Sequence, residues 1–279
     1  MKTEDFEVSG GSVIGYEHRE KNGNCQDGLC VLATNNIMAA VVTDGCSQGK
    51  FSEVGARIGA RILCEKILRE AECNPDNIKS PEFWQSIRLD ALNQIGALAK
   101  TMGGNFLQII IDYFLFTVVG FLLTEKKLAT FSIGDGIIAV NDKITQLGPF
   151  PSNEPPYLTY GLTGSTITTA NPELLRFRVE TVEYPEQISS VLIGTDGVAD
   201  FIQAENKKMP GGEELLGPLS QFWTNTRFFS NPDMVRRKLA LANRKTITCD
   251  WEKRAVIKEP CLLPDDTTLV VMRSKRQGG

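Results

Sequence analysis

The sequence predicts an α+β protein, with antiparallel sheets and helices packed outside them in one domain spanning residues 1–279. Three observations carry this. Strand-like and helix-like segments come in blocks without strict βαβ alternation. The 279 residues are 42% hydrophobic and 23% charged, the balance of an ordinary globular chain. No internal repeat, low-complexity tract or separating linker interrupts them.

The first strands are read from "FEVSGGSVIG", "GLCVLAT" and "IMAAVVT", with Asn35-Asn36 turning between the last two. A long amphipathic helix follows, with Ser52 as its cap and Val54, Ile58, Ile62, Leu63 and Ile67 on one apolar face. A second helix takes Ser80 as N-cap and Pro81 at its first position, and runs to about Ala99. Strands return from Phe114 to Val140 as a hairpin-like pair and a third segment. "LGPFPSNEPPYLTYGLTG", dense in Pro and Gly, reads as a long exposed loop or flap. "ELLRFRVETVEY" and "SSVLIGT" are strands. "VADFIQAE", "EELLGPLSQFW" and "NPDMVRRKLALANR" are helical, the last capped by Asn231. "TTLVVMR" is the closing strand, and "RSKRQGG" holds a solvated polar tail from about residue 274.

Several function classes are disfavoured. A net charge of −4 with scattered basic residues gives no reason to expect nucleic acid or an anionic membrane as partner. Seven cysteines with no C-x-x-C pair indicate neither a zinc knuckle nor a disulfide framework, and they read as small core residues; the tryptophans read as packing. "MKTEDFEVSGG" has no apolar stretch of the secretory kind, so a reducing cytoplasm is expected. The apolar run "NFLQIIIDYFLFTVVGFLLT" carries Asp112 at its centre and reads as a helix end followed by a buried strand from Phe114 to Leu123.

Carboxylates recur where buried segments end. Asp27, Asp44, Asp135 and Asp196 each precede a glycine, and Asp265-Asp266 precede the last strand. A hairpin turn accounts for Asp135-Gly136, which lies between two strand-like runs. It suits Asp44-Gly45 and Asp196-Gly197 poorly, because helices follow them. Clustered carboxylates need a compensating cation, and an all-oxygen donor set suits magnesium or manganese. Two such ions about 3.5–4 Å apart can activate a water toward phosphorus. A Ser-His-Asp centre would have to route through His18, the sole histidine, and no nucleophile elbow is expected. No cysteine has an arginine six positions on, which argues against a cysteine-based phosphatase. "DGCSQGKFS" is a near miss for a phosphate-binding loop, with Phe51 where Ser or Thr should stand.

Five motifs in order, "NCQDG", "VVTDG…SEVGA", "FSIGDG", "LIGTDGVAD" and "DDTTLVVM", resemble those of the metal-dependent type-2C (PPM) serine/threonine protein phosphatases, and "GYEHREKNGNCQD" is most similar to a bacterial branch. The resemblance implies a central antiparallel β-sandwich flanked by helix pairs (α-β-β-α). It implies a Mg2+ or Mn2+ enzyme that hydrolyses phosphoserine or phosphothreonine in protein substrates through a metal-bridged hydroxide. Asp44 would bridge two core ions, Asp27 and the Gly45 carbonyl would join them, Asp196 and Asp265 would complete the second metal's shell, and Asp135 would hold a third, weaker ion. Asp266 falls where the family more often has Asn and is read as a neighbour. The family's phosphate-gripping Arg is Asn22 here, so His18, Arg19 or Lys21 are the candidates to contact phosphate, with His18 also a candidate to protonate the leaving oxygen. The alternative reading is an inactive relative that acts as a regulatory binding module.

Overall fold

The computed structural model of the chain describes residues 1–151, 154–163, 172–252, 254–259 and 261–275. Two five-stranded antiparallel sheets face each other. The first is ordered β1 (Phe6–Val13), β12 (Thr267–Ser274), β9 (Ser190–Gly194), β6 (Gly136–Val140) and β7 (Lys143–Leu147). The second is ordered β2 (Asp27–Ala33), β3 (Met38–Asp44), β4 (Val118–Leu123), β5 (Leu128–Ile133) and β8 (Arg178–Glu183). Successive side chains alternate across a strand. Met38, Ala40 and Val42 of β3 therefore enter the layer between the sheets with Phe6, Phe121, Ile193, Val270 and Met272. Ala39 and Val41 face outward, against α2 (Ser52–Cys73), α3 (Pro81–Met102) and α4 (Phe106–Tyr113). A strand covered on both faces must be apolar throughout, which is why "MAAVV" shows no alternation.

The outer face of the first sheet packs beneath α6 (Gly197–Gln203), α7 (Gln221–Thr224), α8 (Arg227–Ser230) and α9 (Met234–Ala242), through Leu192, Leu269 and Val271 against Phe201, Phe222, Phe228 and Leu239. The expected α+β sandwich, with helices on both outer faces, is the observed one. A short helix, α1 (Tyr16–Glu20), links β1 to β2, and α5 (Tyr160–Thr163) lies in the Pro-rich segment. Among the described residues, no helix is long and apolar enough to cross a membrane.

Several local expectations are corrected. Ser52 is the first residue of α2 and makes no cap bond, and Val54 is exposed, so the apolar face runs from Ile58 onward. Ser80 does cap α3, its hydroxyl accepting from Glu82 N at 3.2 Å, but the helix continues to Met102. α4 is a helix in its own right, capped by Asn105, and the buried strand begins at Val118. β5 and β6 lie in different sheets, so Asp135-Gly136 is a crossing between layers and not a hairpin turn. Gly136 alone among the four Asp-Gly glycines has positive φ, at 138°. Of "EELLGPLSQFW", only the end is helical. Asn231 accepts from Asp233 N at 3.0 Å one turn ahead of α9, which starts at Met234. Within the Pro-rich segment Pro155, Pro156, Leu158 and Thr159 are buried, and Ser152, Asn153 and Gly164 lie outside the described residues. Arg273 is a buried strand residue paired with Glu7, at 2.8 Å, and Ser274 is buried too, so the start of "RSKRQGG" belongs to β12; residues 276–279 lie outside the described residues. Trp251, 85% exposed, and the exposed Cys73 and Cys249 are not core residues. A two-stranded ribbon, β10 (Thr246–Asp250) with β11 (Ala255–Glu259), is additional to the expected strands.

α2 and the segment entering β4 touch through backbone. A Cβ at Gly55 would land on the Tyr113 carbonyl, whereas one at Gly96 of α3 would meet nothing nearer than Leu162 Cδ2 at 3.7 Å. Gly55→Ala is therefore expected to destabilise by about 2–3 kcal/mol, and Gly96→Ala to be neutral or stabilising by up to about 1 kcal/mol. Chemical denaturation midpoints of the two variants decide this, and equal midpoints would contradict the packing.

Candidate functional site

Antiparallel pairing gathers the acidic residues. β6 and β12 both neighbour β9 and run against it, so the start of each meets the end of β9. Asp135 immediately precedes β6, Asp265 precedes β12, and Asp196 follows β9. In the facing sheet, Asp27 opens β2, Asp44 closes β3, and the two are direct register partners. Five carboxylates thus converge at one end of the sandwich from five different strands. Asp135, Asp196 and Asp265 line a common cleft of about 190 Å³ together with Asp200.

The electrostatics record how closely they crowd. Burial first, then the charges of Asp196, Asp27, Asp265 and Asp135, push Asp44 well above the usual carboxylate range. Burial and Asp266 raise Asp27, against the opposing pull of the Thr268 and Thr195 hydroxyls. Burial, Asp265 and Asp135 push Asp196 up to about 7. Asp135 is raised chiefly by burial, and so are Asp265 and Asp200. Asp27 is 2% exposed. Its Oδ2 accepts from Thr195 Oγ1 at 2.9 Å, but its Oδ1 is buried with no partner. A buried carboxylate oxygen without a donor is costly unless a cation meets it. The donor set, all oxygen and all acidic, fits divalent magnesium or manganese and no softer ion.

Asp266 differs from Asp265. Its Oδ1 accepts from Gly15 N at 2.6 Å and its Oδ2 from Gln26 N at 2.5 Å, which ties α1 and the Asp27 loop to the head of β12. Asp265, with 52% of its side chain exposed, opens toward the cleft. His18 lies on α1, and its Nδ1 stands 3.0 Å from Asp266 Oδ2 and 3.8 Å from Asp265 Oδ1. The ligating atoms of His18, Asp265 and Asp266 fall within 4.8 Å of one another. With both Asp266 oxygens already taken by backbone N–H groups, and His18 Nδ1 buried without a hydrogen-bond partner among the described residues, this trio packs beside the carboxylate centre.

The other candidates separate. Arg19 is turned away from the carboxylates. Its guanidinium donates to Asn243 O at 2.9 Å and to Cys261 Sγ at 3.3 Å, which removes it from the phosphate candidates. Lys21 is exposed just past α1. Gly45 is buried, and a Cβ there would come within 2.7 Å of Gln26 O, so only glycine lets the Asp27 loop pack against the end of β3. The phosphate-loop look-alike is occupied otherwise: Lys50 pairs with Asp112 at 3.7 Å and Phe51 stacks on Tyr113 at 4.9 Å. The spelling G-x-S-x-G does occur, at Gly45–Gly49, contrary to expectation. Ser47 lies in an exposed turn there, while the sole histidine is engaged with Asp266.

Four site residues escape the sequence reading. Thr195 holds Asp27 and is itself held by Thr268 N–H, and their adjacency to Asp196 and to the Asp265-Asp266 pair was the available signal. Asp200, one helical turn beyond Asp196, lines the same cleft. Tyr157 arrives from the Pro-rich segment and stands against Cys46, with the Asp44 charge also felt there. Nothing in its local sequence marks it.

The structure is thus a double sheet with helices on both outer faces and a cluster of strand-end carboxylates at one end. The profile of the family described as Protein phosphatase 2C matches residues 14–240, and the chain belongs to that family. Solved structures of similar fold include a bacterial serine phosphatase, at 12% identity, covering 97% of this chain and 98% of that one, with a TM-score of 0.55. Others are the catalytic domain of the serine/threonine protein phosphatase PstP in complex with two manganese ions (13% identity, 96% and 97% covered, TM-score 0.52) and Stp1 from Staphylococcus aureus (14%, 97% and 95%, 0.51). No curated protein matches the chain. At these identities the structures establish the fold they share with it.

Because the folded protein holds the Asp196 proton up to about pH 7, against about 3.9 in an unfolded chain, ionisation costs stability as pH rises between those values. In chelator, Asp196→Asn should match the wild type near pH 4. It should become more stable above pH 7 by on the order of 1–3 kcal/mol, about 2–4 °C per kcal/mol in Tm. Added Mn2+ should then raise the wild-type Tm more than the variant's. A variant no more stable than wild type at pH 8 would remove the repulsion argument.

Proposed function

We propose that the protein is a Mg2+- or Mn2+-dependent phosphoprotein phosphatase acting on phosphoserine and phosphothreonine. The observation that supports this most is the convergence of five strand-end carboxylates, one of them the buried Asp27 with its partnerless Oδ1. Divalent ions bound there supply charge neutralisation and activation of water for attack on phosphorus. Asp44, central among the other four and raised by all of them, would hold the ions together with Asp27 on its own strand pair and Asp196 and Asp265 from the facing sheet. Asp135 enters from the layer crossing and would hold a third, weaker ion. Thr195 holds Asp27 through Oδ2, and Thr268 N–H holds Thr195 Oγ1 in turn, so the free Asp27 oxygen keeps its direction.

His18 is the protein's candidate for the leaving oxygen. Asp266 stands 3.0 Å from its Nδ1 and is itself fixed by two backbone donors. Lys21 is the remaining candidate of the three for a phosphate contact. The substrate is read as a phosphorylated protein and the setting as cytoplasmic, consistent with seven free cysteines.

Turnover of p-nitrophenyl phosphate is expected with added Mn2+ or Mg2+ and none in chelator. Asp44→Asn should abolish it with the fold retained by circular dichroism, and Asp135→Asn should lower it while two ions still titrate calorimetrically. Metal-independent turnover, or a near-active Asp44→Asn, would defeat the reading. His18→Ala should reduce phosphopeptide hydrolysis about 10²–10⁴-fold, and aryl phosphate hydrolysis far less, because only the alkoxide leaving group needs a proton. Equal losses on both substrates would assign His18 to phosphate binding instead.

A further inference from the structure

α1 has two working faces one residue apart. His18 looks to the carboxylate centre, while Arg19 looks the other way and donates to Asn243 O. On that second face lies an open cavity of about 540 Å³ whose lining includes Arg19, Arg236, Arg237, Arg244 and Lys245, with no acidic side chain in its wall. The chain as a whole is acidic, at −4, so five cations around one groove are a local reversal of its charge. Asp233 holds Arg236 and Arg237, and Glu20 stands 3.7 Å from Lys245, all as exposed pairs of the kind that exchange partners readily. Arg19 pairs with a carbonyl and a thiol, and Arg244 with no carboxylate among the described residues. The groove therefore keeps more positive charge than its own carboxylates neutralise.

Its floor is tied to the site. Asn243 accepts from Arg19 and donates to Ile14 O at 2.7 Å, in the segment whose Gly15 N–H is gripped by Asp266. We propose that this groove binds an acidic segment of the phosphoprotein substrate flanking its phosphorylated residue. The proposal rests on the phosphatase reading above. A helix with its side chains is about 10–12 Å across, and an extended chain covers about 3.3–3.6 Å per residue, so a peptide crossing α1 reaches the groove in about three to five residues. The selected sequences are those with Asp or Glu at that spacing from the phosphoserine. Beyond the groove the β10–β11 ribbon continues the surface, with Ile247, Cys249 and Val256 exposed on one face.

The test uses the full chain with Mn2+ and three phosphopeptides carrying Glu, Gln or Lys at the third to fifth positions from the phosphoserine. The Glu peptide is expected to show kcat/KM at least about tenfold above the Gln peptide, through KM. That margin should shrink about fivefold to tenfold in Arg244→Glu/Lys245→Glu, and also on raising salt so that the Debye length falls from about 10 Å to about 3 Å. Equal kcat/KM for the Glu and Gln peptides overturns the proposal. Fluorescence anisotropy with the unphosphorylated Glu peptide reads the groove without turnover. Weaker binding to the double variant than to wild type supports the groove even if no phosphoester is cleaved, in which case the phosphatase reading alone fails. Binding that is unchanged in the variant, or a single-stranded oligonucleotide of equal charge that binds more tightly than the peptide, overturns the assignment to an acidic protein segment.

Discussion

Mutual repulsion among buried carboxylates is the constraint around which this molecule is built. Two like charges about 4 Å apart repel by about 4 kcal/mol at an effective dielectric constant of about 20, while an exposed ion pair returns only about 0–1 kcal/mol. The surface pairs, such as Lys126 with Asp76 or Arg236 with Asp233, therefore cannot offset the strain at the sandwich end. What holds the carboxylates together is everything behind them. The apolar layer between the sheets and the two helical layers fix the strand ends, and the strand ends leave the aspartates nowhere to separate.

That arrangement explains the glycines and threonines around the site. Gly45 and Gly197 let backbone pass where a side chain would collide with Gln26 O and with the Asp266 carbonyl. Thr195 donates its hydroxyl proton to Asp27 and accepts from Thr268 N at 3.1 Å, so one side chain joins β9, β12 and the head of β2. Asp266 does the same for α1 and the Asp27 loop. The carboxylates are thus held in position by neutral donors and backbone.

Much of this was legible beforehand. Asp27, Asp44, Asp135, Asp196 and Asp265 announce themselves because each interrupts or borders a strongly apolar run, and burial of a charge is hard to explain without a use for it. The α+β class followed from the same runs. The ribbon was not legible, because "TITCD" and "AVIKE" are short and mix charges with β-branched residues, with no continuous apolar run to mark a buried strand. The Asp135-Gly136 hairpin was misread for a related reason. Two successive apolar strands look alike whether they pair or cross to the facing sheet, since both destinations are buried.

The sequence by itself determined the donor chemistry, an oxygen-only acidic set with one histidine nearby, and the apolar runs that make two buried sheets. Only the tertiary structure decided which aspartate faces which. The antiparallel order β6-β9-β12 brings residues 135, 196 and 265 to one end, although more than 60 positions separate each from the next. Only the fold turned Arg19 away while it kept His18 in, because adjacent residues on a helix diverge by about 100° and a one-residue step exchanges the carboxylate face for the groove face. Only the fold brought Tyr157 to Cys46, because the Pro-rich segment is anchored by Leu158 and Thr159 in the core, a long-range packing that leaves no local mark.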